Sequence, residues 1–138
     1  ALYSWSASLD VCPEGWHLPS DEEWKELEFH LGMSEEYVNK HEWRGTYEGG
    51  MLKERGFSNW NNPNIAATNA SGFTALPGGY RSNTGGFYGF GMYAAYWTST
   101  EKEETNTIWY RALSHENTDV YRYWVEGNRG ASVRCVED

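Results

Sequence analysis

An α+β fold, with helices first and an antiparallel sheet last, is predicted by three observations on this sequence. A well-capped amphipathic helix lies near the start, a stretch rich in Gly, Asn and Thr fills the middle, and strand-like runs separated by turns occupy the end. Segregated helices and strands, rather than alternating ones, are the pattern of that class.

The elements follow in chain order. Residues 1–9 alternate weakly, with Leu2, Trp5 and Leu9 apolar, and suit either a short strand or a helical turn. Ser20 followed three positions later by Glu23 is a capping box, in which hydroxyl and carboxylate each satisfy a backbone N–H left free at a helix start. Trp24, Leu27 and Leu31 then form one apolar stripe, Glu22, Lys25, Glu26 and Glu28 are expected to face water, and Gly32 supplies the left-handed stop. This predicts a helix over 21–31. Ser34 and Glu35-Glu36 open a second, short helix within 34–41. From Glu42 to Ala75, Gly49-Gly50 and Trp60-Asn61-Asn62-Pro63-Asn64 indicate a long structured loop. Strands are expected at 94–99, 107–113, 120–125 and 131–136, with turns at Glu116-Asn117-Thr118 and Gly127-Asn128.

The segment Gly15-Trp16-His17-Leu18-Pro19-Ser20-Asp21-Glu22-Glu23-Trp24 resembles a Gly-Trp-Arg-Leu-Pro-Thr-Glu-Ala-Glu-Trp motif of the formylglycine-generating sulfatase-modifying family. Four ordered blocks resemble the Fibrobacter succinogenes major paralogous domain family more closely. They are Cys12-Pro13-Glu14-Gly15-Trp16-His17-Leu18-Pro19-Ser20, the run Ala67 to Arg81 with its Leu76-Pro77-Gly78-Gly79-Tyr80-Arg81 end, Tyr96-Trp97-Thr98-Ser99-Thr100-Glu101, and Ser132-Val133-Arg134-Cys135-Val136. The resemblance implies a C-type lectin-like fold and a secreted or lipoprotein-borne bacterial domain, without implying a common activity. The N-terminal strands usual in that pattern are missing ahead of Ala1, so the chain is expected to be a trimmed domain or one module of a longer protein.

Length and composition agree with one domain over 1–138, enough chain to bury a core. Aromatic residues make up 17%, with 8 Trp and 10 Tyr, so the core is expected to pack rings on backbone and on glycine rather than Leu on Val. The net charge of −9 disfavours nucleic acid and anionic membrane surfaces as partners. No apolar run approaches the ~20 residues of a membrane span, and no signal peptide is read in the sequence. Cys12 and Cys135 allow one bridge tying the two ends together; the alternative is a pair of buried free thiols, and composition together with the family resemblance favours the bridge. The catalytic cysteine pair of the formylglycine-generating enzymes has no counterpart near the C-terminal motif, so the fold is carried over and the chemistry is not.

Signals for catalysis are weak. His17, His30, His41 and His115 have no metal-ligand spacing, and read as surface or loop residues. No nucleophile elbow occurs. The carboxylate pairs Glu35-Glu36 and Glu103-Glu104 read as solvated faces. Trp60-Asn61-Asn62-Pro63-Asn64 echoes the words of calcium-dependent sugar-binding lectins, but it precedes the sheet and lacks the central carboxylate. No cofactor is expected; a structural calcium ion held by backbone carbonyls and Asn or Asp side chains of residues 59–72 stays open.

The best functional signal is the mixture of aromatics and amides between residues 83 and 128. Asn83, Tyr88, Tyr93, Asn106, Trp109, His115, Asn117, Tyr121, Tyr123, Trp124 and Asn128 are the candidate ligand-binding residues, because Tyr and Trp give large contact area at low entropy cost while Asn gives adaptable hydrogen bonds. Alternation places Val120, Arg122 and Trp124 on one side of a strand and Tyr121, Tyr123 and Val125 on the other, so one set is expected to face solvent. The competing reading is that these rings fill an aliphatic-poor core. Arg81, Arg111, Arg122 and Arg134 are expected to brace carbonyls and carboxylates. Proteins of the C-type lectin-like fold also serve as display scaffolds of diversity-generating retroelements, and the Tyr, Asn, Asp, Ser and His content of 83–128 is compatible with a diversified ligand-binding scaffold. The function expected is a non-enzymatic, extracytoplasmic recognition or adhesion domain binding a carbohydrate or protein ligand on a cell surface. The alternatives are a structural module without ligand and an enzyme related to the formylglycine-generating family.

Overall fold

The computed structural model describes residues 1–103 and 106–138. Glu104, half of the Glu103-Glu104 pair, lies outside the described residues.

The first helical turn, α1 (Trp5–Ser8), is capped by Ser4, whose hydroxyl accepts from the Ala7 N–H; just ahead of it, Tyr3 bridges to Ala131. Both options for residues 1–9 are therefore partly realised. Strand β1 (Trp16–His17) leads into α2 (Asp21–His30), where Ser20 and Glu23 close the capping box and Gly32 takes φ 111° just beyond the end. Helix α3 (Glu35–Val38) starts from Ser34, as its sequence indicates.

The expected long loop is more ordered than its composition suggests. It opens with β2 (Glu42–Arg44), which pairs with a later strand, and continues into α4 (Glu48–Leu52). The glycines at 49 and 50 sit inside α4 because neighbouring backbones press on them. A Cβ on Gly49 would meet the Asp119 carbonyl, and one on Gly50 the Ala66 carbonyl. Glycine here marks close approach, not a loop.

A hairpin of β3 (Tyr80–Arg81) and β4 (Phe87–Tyr88) precedes the main strands β5 (Tyr93–Lys102), β6 (Thr107–Ser114) and β7 (Val120–Glu126). These three join β2 in a four-stranded antiparallel sheet of order β2-β7-β6-β5. The strand expected over 131–136 is not continuous. Ala131 and Ser132 make isolated bridges to Tyr3 and Tyr96, and only β8 (Val136–Glu137) pairs, with β1. Beside that pair, Cys12 and Cys135 form a disulfide across a separation of 123 residues.

Registers set the two faces of the sheet. Arg111 lies opposite Arg122, and both reach α2; Tyr110 lies opposite Tyr123 and turns the other way. On the α2 side, Trp24, Met33, Val38, Leu52, Trp60, Ala94, Tyr96, Leu113 and Val120 make the larger core, confirming that rings fill much of the interior. On the other side, Leu18, Ala95, Trp97, Ile108 and Ala131 make a smaller core under the N-terminal segment. Trp97 Nε1 donates to the Tyr3 carbonyl at 2.7 Å and Trp5 Nε1 to the Thr98 carbonyl at 3.0 Å, stitching that segment down.

One expectation about α2 is overturned. Glu28, assigned to water, is fully buried and accepts hydrogen bonds from Arg44 (2.6 and 2.7 Å) and Arg111 (2.9 and 3.2 Å). Phe29, its neighbour, is the residue left exposed. Asp21 completes the cluster, accepting from Arg111 at 2.7 Å and from Arg122 at 3.0 and 2.8 Å. A carboxylate can face inward on a helix when guanidinium groups from the sheet supply its partners, since buried charges are retained only when paired. Arg111 and Arg122 thus brace carboxylates as expected. Arg81 donates to the Asn128 carbonyl, also as expected, whereas Arg134 lies over the Phe73 ring at 4.4 Å.

Candidate functional site

The sheet face turned away from α2 carries a groove of about 220 Å³. Its floor is made by Ala95, Ala112 and Trp97, and its walls by Trp43, Tyr80, Tyr93, Tyr110 and Tyr121, with Arg129 at the rim. Strand alternation builds it. Ala95 pairs with Ala112, and Ala112 with Tyr121, so small residues on β5 and β6 leave space among the large residues around them. Trp43 joins the wall because β2 pairs it directly with Tyr121, their ring centroids 5.0 Å apart.

From the groove the rings continue without a break. Tyr110 meets Tyr121 at 6.1 Å, Tyr121 stacks on Tyr123 at 5.6 Å, and Tyr123 stacks on Trp124 at 4.2 Å with 14° between the planes. Successive residues of a strand leave from opposite faces, so a Tyr123–Trp124 stack requires both rings to fold around the sheet edge. They do so where β7 runs past its last partner in β2, the Glu42–Arg122 pair. His41 caps the edge, 5.2 Å from Trp124, and Lys102 Nζ lies 4.3 Å above the Trp124 ring. Trp109 then meets Trp124 at 5.3 Å, with the Arg122 guanidinium 3.8 Å over its ring.

Burial favours the neutral phenol at Tyr110 and Tyr121. The Tyr110 hydroxyl is pushed up, chiefly by burial and next by the nearby Tyr121 phenol; Tyr121 is raised by burial, then by Tyr123 and Glu42. Both remain hydrogen-bond donors and acceptors across the physiological range.

The structure brings together five of the eleven sequence candidates: Tyr93, Trp109, Tyr121, Tyr123 and Trp124. Tyr88 is exposed on β4, against Tyr80 at 5.8 Å, at the far side of the groove wall. Asn83, Asn106 and Asn128 are exposed in turns and line no part of the groove. His115 is buried, not displayed; its Nδ1 lies 3.2 Å from the Asn62 carbonyl. Asn117 is half-buried, and its Oδ1 accepts from the Asp119 N–H at 2.8 Å, closing the turn before β7. Neither set of alternating β7 side chains simply faces solvent: Val120 and Arg122 are buried, while Tyr121 and Tyr123 are half-buried beside the groove.

With this geometry in view, the comparison with known families is informative. The family model described as the Fibrobacter succinogenes major domain matches residues 1–137. The chain belongs to that family. No curated protein and no solved structure matches it.

Two further features bear on what this Fibrobacter succinogenes major domain can bind. Among the described residues, no group of three or more His, Cys, Asp or Glu side chains is placed to hold a metal ion. Three backbone carbonyls, one of them from the 59–72 region, converge on a lysine side chain. Lys53, fully buried on the strap after α4, donates from Nζ to the carbonyls of Ile65 (2.9 Å), Ser114 (2.8 Å) and Asn117 (3.1 Å). Burial draws its ammonium down to about 8. Its sequence neighbourhood gives no signal for this, because a lysine after a helix reads as solvated.

Trp43, Tyr80 and Tyr110 are the groove residues that sequence reasoning missed. Trp43 was hidden by the loop-like composition around it. Tyr80 sits within the framework block over 76–81; Tyr110, on the strand expected over 107–113, shares the two-residue alternation of Ile108 and Ala112, which would have placed it on the face away from Arg111.

Proposed function

We propose that this Fibrobacter succinogenes major domain is a non-enzymatic recognition module of a bacterial surface protein or lipoprotein, working outside the cytoplasm on a C-type lectin-like scaffold. The observation that carries the reading is the continuous ring path from Trp43 through Tyr121 and Tyr123 to Trp124, opening onto a shaped groove. A concave, mostly apolar site with a few convergent polar groups is the usual form of a ligand site. Rings held by mutual stacking are also preorganised, which limits the ordering cost of binding. The ligand class is a carbohydrate or a protein surface. Calcium is not needed for this contact, since phenols and rings supply it. The disulfide supports an oxidising compartment and leaves neither cysteine as a free thiol for formylglycine-type chemistry.

The test is a glycan-array and cell-surface protein screen of the domain, in calcium and in chelator, comparing the native protein with Trp43→Ala and Tyr123→Ala. Binding that survives chelation and disappears in both variants, at unchanged melting temperature, is the expected result. Loss in chelator would restore a calcium-dependent mechanism. Silence of the native protein on both panels would favour a structural module.

A further inference from the structure

We propose that the groove between Trp43, Tyr110 and Tyr121 seats one uncharged sugar ring without a metal ion, an inference that rests on the recognition reading above. Size is the first argument. At about 220 Å³ the groove is smaller than the roughly 300–1,000 Å³ of sites that take drug-sized ligands, so it admits a single ring-sized unit rather than a peptide segment.

Shape and chemistry agree. A pyranose presents apolar C–H faces and a polar hydroxyl edge. The Ala95 and Ala112 floor leaves room for the ring, and Trp43 and Tyr121, tilted 44° to each other, offer aromatic faces for its C–H surface. The phenols of Tyr80, Tyr93, Tyr110 and Tyr121 ring the same space and can both give and accept hydrogen bonds at its edge.

Charge selects neutrality. Among the described residues lining the groove, the one ionised group is Arg129, and its Nε donates to Glu126 at 3.0 Å, so an anionic ligand finds a cation already paired. A cationic ligand would have to approach that same guanidinium. The net charge of −9 adds a general penalty against anions.

The experiment is saturation-transfer NMR and tryptophan fluorescence titration with methyl glycosides of glucose, galactose, mannose and N-acetylglucosamine. Glucuronate, N-acetylneuraminate and glucosamine serve as charged comparators, all in chelator. A site this small is expected to bind with dissociation constants on the order of millimolar. At least one neutral glycoside should bind at least tenfold more tightly than the charged sugars. Its C–H protons should receive saturation from aromatic resonances. Ala112→Leu, which fills the floor, and Tyr121→Ala, which removes a half-buried wall, should each abolish the signal; if Ala112→Leu fails to fold, Tyr121→Ala decides. Preference for a charged sugar, or binding indifferent to Tyr121→Ala, would overturn the proposal. So would the absence of all sugar binding. In that last case a protein ligand lost in Trp43→Ala would leave the recognition reading standing, and silence there as well would remove both.

Discussion

Arg111 and Asp21, 90 positions apart, are joined by a 2.7 Å hydrogen bond between two buried side chains. The same guanidinium reaches Glu28, so one residue of the sheet holds both ends of α2's inner face. Replacing a whole buried ion cluster by apolar groups is often neutral, but removing one member leaves its partners desolvated and unpaired. Glu28→Gln keeps the shape while leaving Arg44 without a carboxylate and Arg111 with that of Asp21 alone. A loss of about 3–5 kcal/mol is expected, measured by urea unfolding of the oxidised protein.

Acid stability should depend on Asp21. Burial pushes its carboxyl up, but Arg122 and Arg111 outweigh that and hold it at about 2, against 3.8 in the unfolded chain. A depressed carboxylate contributes stability that is fully present above the unfolded value and is lost as pH falls toward 2. Its share is about 2 kcal/mol, so unfolding free energy should fall between pH 4 and 2 and the corresponding slope should be absent in Asp21→Asn.

Lys53→Met should destabilise the region between α4 and the sheet although it replaces a charge by an apolar chain of similar length. The ammonium satisfies the carbonyls of Ile65, Ser114 and Asn117, that of Ser114 in a fully buried contact. Each acceptor left unpaired costs about 1–3 kcal/mol, so a total of roughly 3 kcal/mol or more is expected from thermal unfolding. A gain in stability would show that water takes over the acceptors.

Reduction should matter more here than for a short bridge. Cys12–Cys135 spans 123 residues, and the chain-entropy model assigns such a closure roughly 4–5 kcal/mol. Comparing the native protein with the Cys12→Ser, Cys135→Ser double variant by denaturant unfolding measures it. Amide exchange should rise first at β1 and β8, the pair beside the bridge.

His17 offers a local readout of the same corner. Its Nε2 lies 2.8 Å from Glu23 and its Nδ1 2.6 Å from Asp138, and hydrogen bonds to Glu23 and then Asp138 raise it above 6.5. A raised histidine contributes below its unfolded value, and the contribution disappears as pH climbs through the folded one. An NMR titration should place the His17 midpoint above 6.5, and Glu23→Gln should bring it down.

Local signals were legible wherever a short-range rule governs structure. Ser20 with Glu23 points to α2, Ser34 to α3, and strand-like runs bounded by turns to the three long strands. What escaped depends on contacts between distant segments. Glu28 reads as a solvated helix residue because the arginines that receive it lie on β2 and β6. Gly49-Gly50 reads as a loop because the carbonyls pressing on it belong to Asp119 and Ala66. Trp43 becomes a wall of the groove only through the pairing of β2 with β7. Of the candidate site, the β7 aromatics were visible as a set, while the enclosure that gives them a shape was not.

Tyr110 and Arg111 are adjacent on β6, and Tyr121 and Arg122 adjacent on β7, yet the tyrosines line the groove and the arginines hold α2. Groove lining and helix clasp are therefore written on alternate letters of the same strands, with the peptide plane as partition. Groups separated in this way change independently, so substitutions in the groove should add to those in the ionic cluster without coupling. On the recognition reading proposed above, exchanging the aromatic letters would change what the groove meets while the alternate letters keep spelling the same fold.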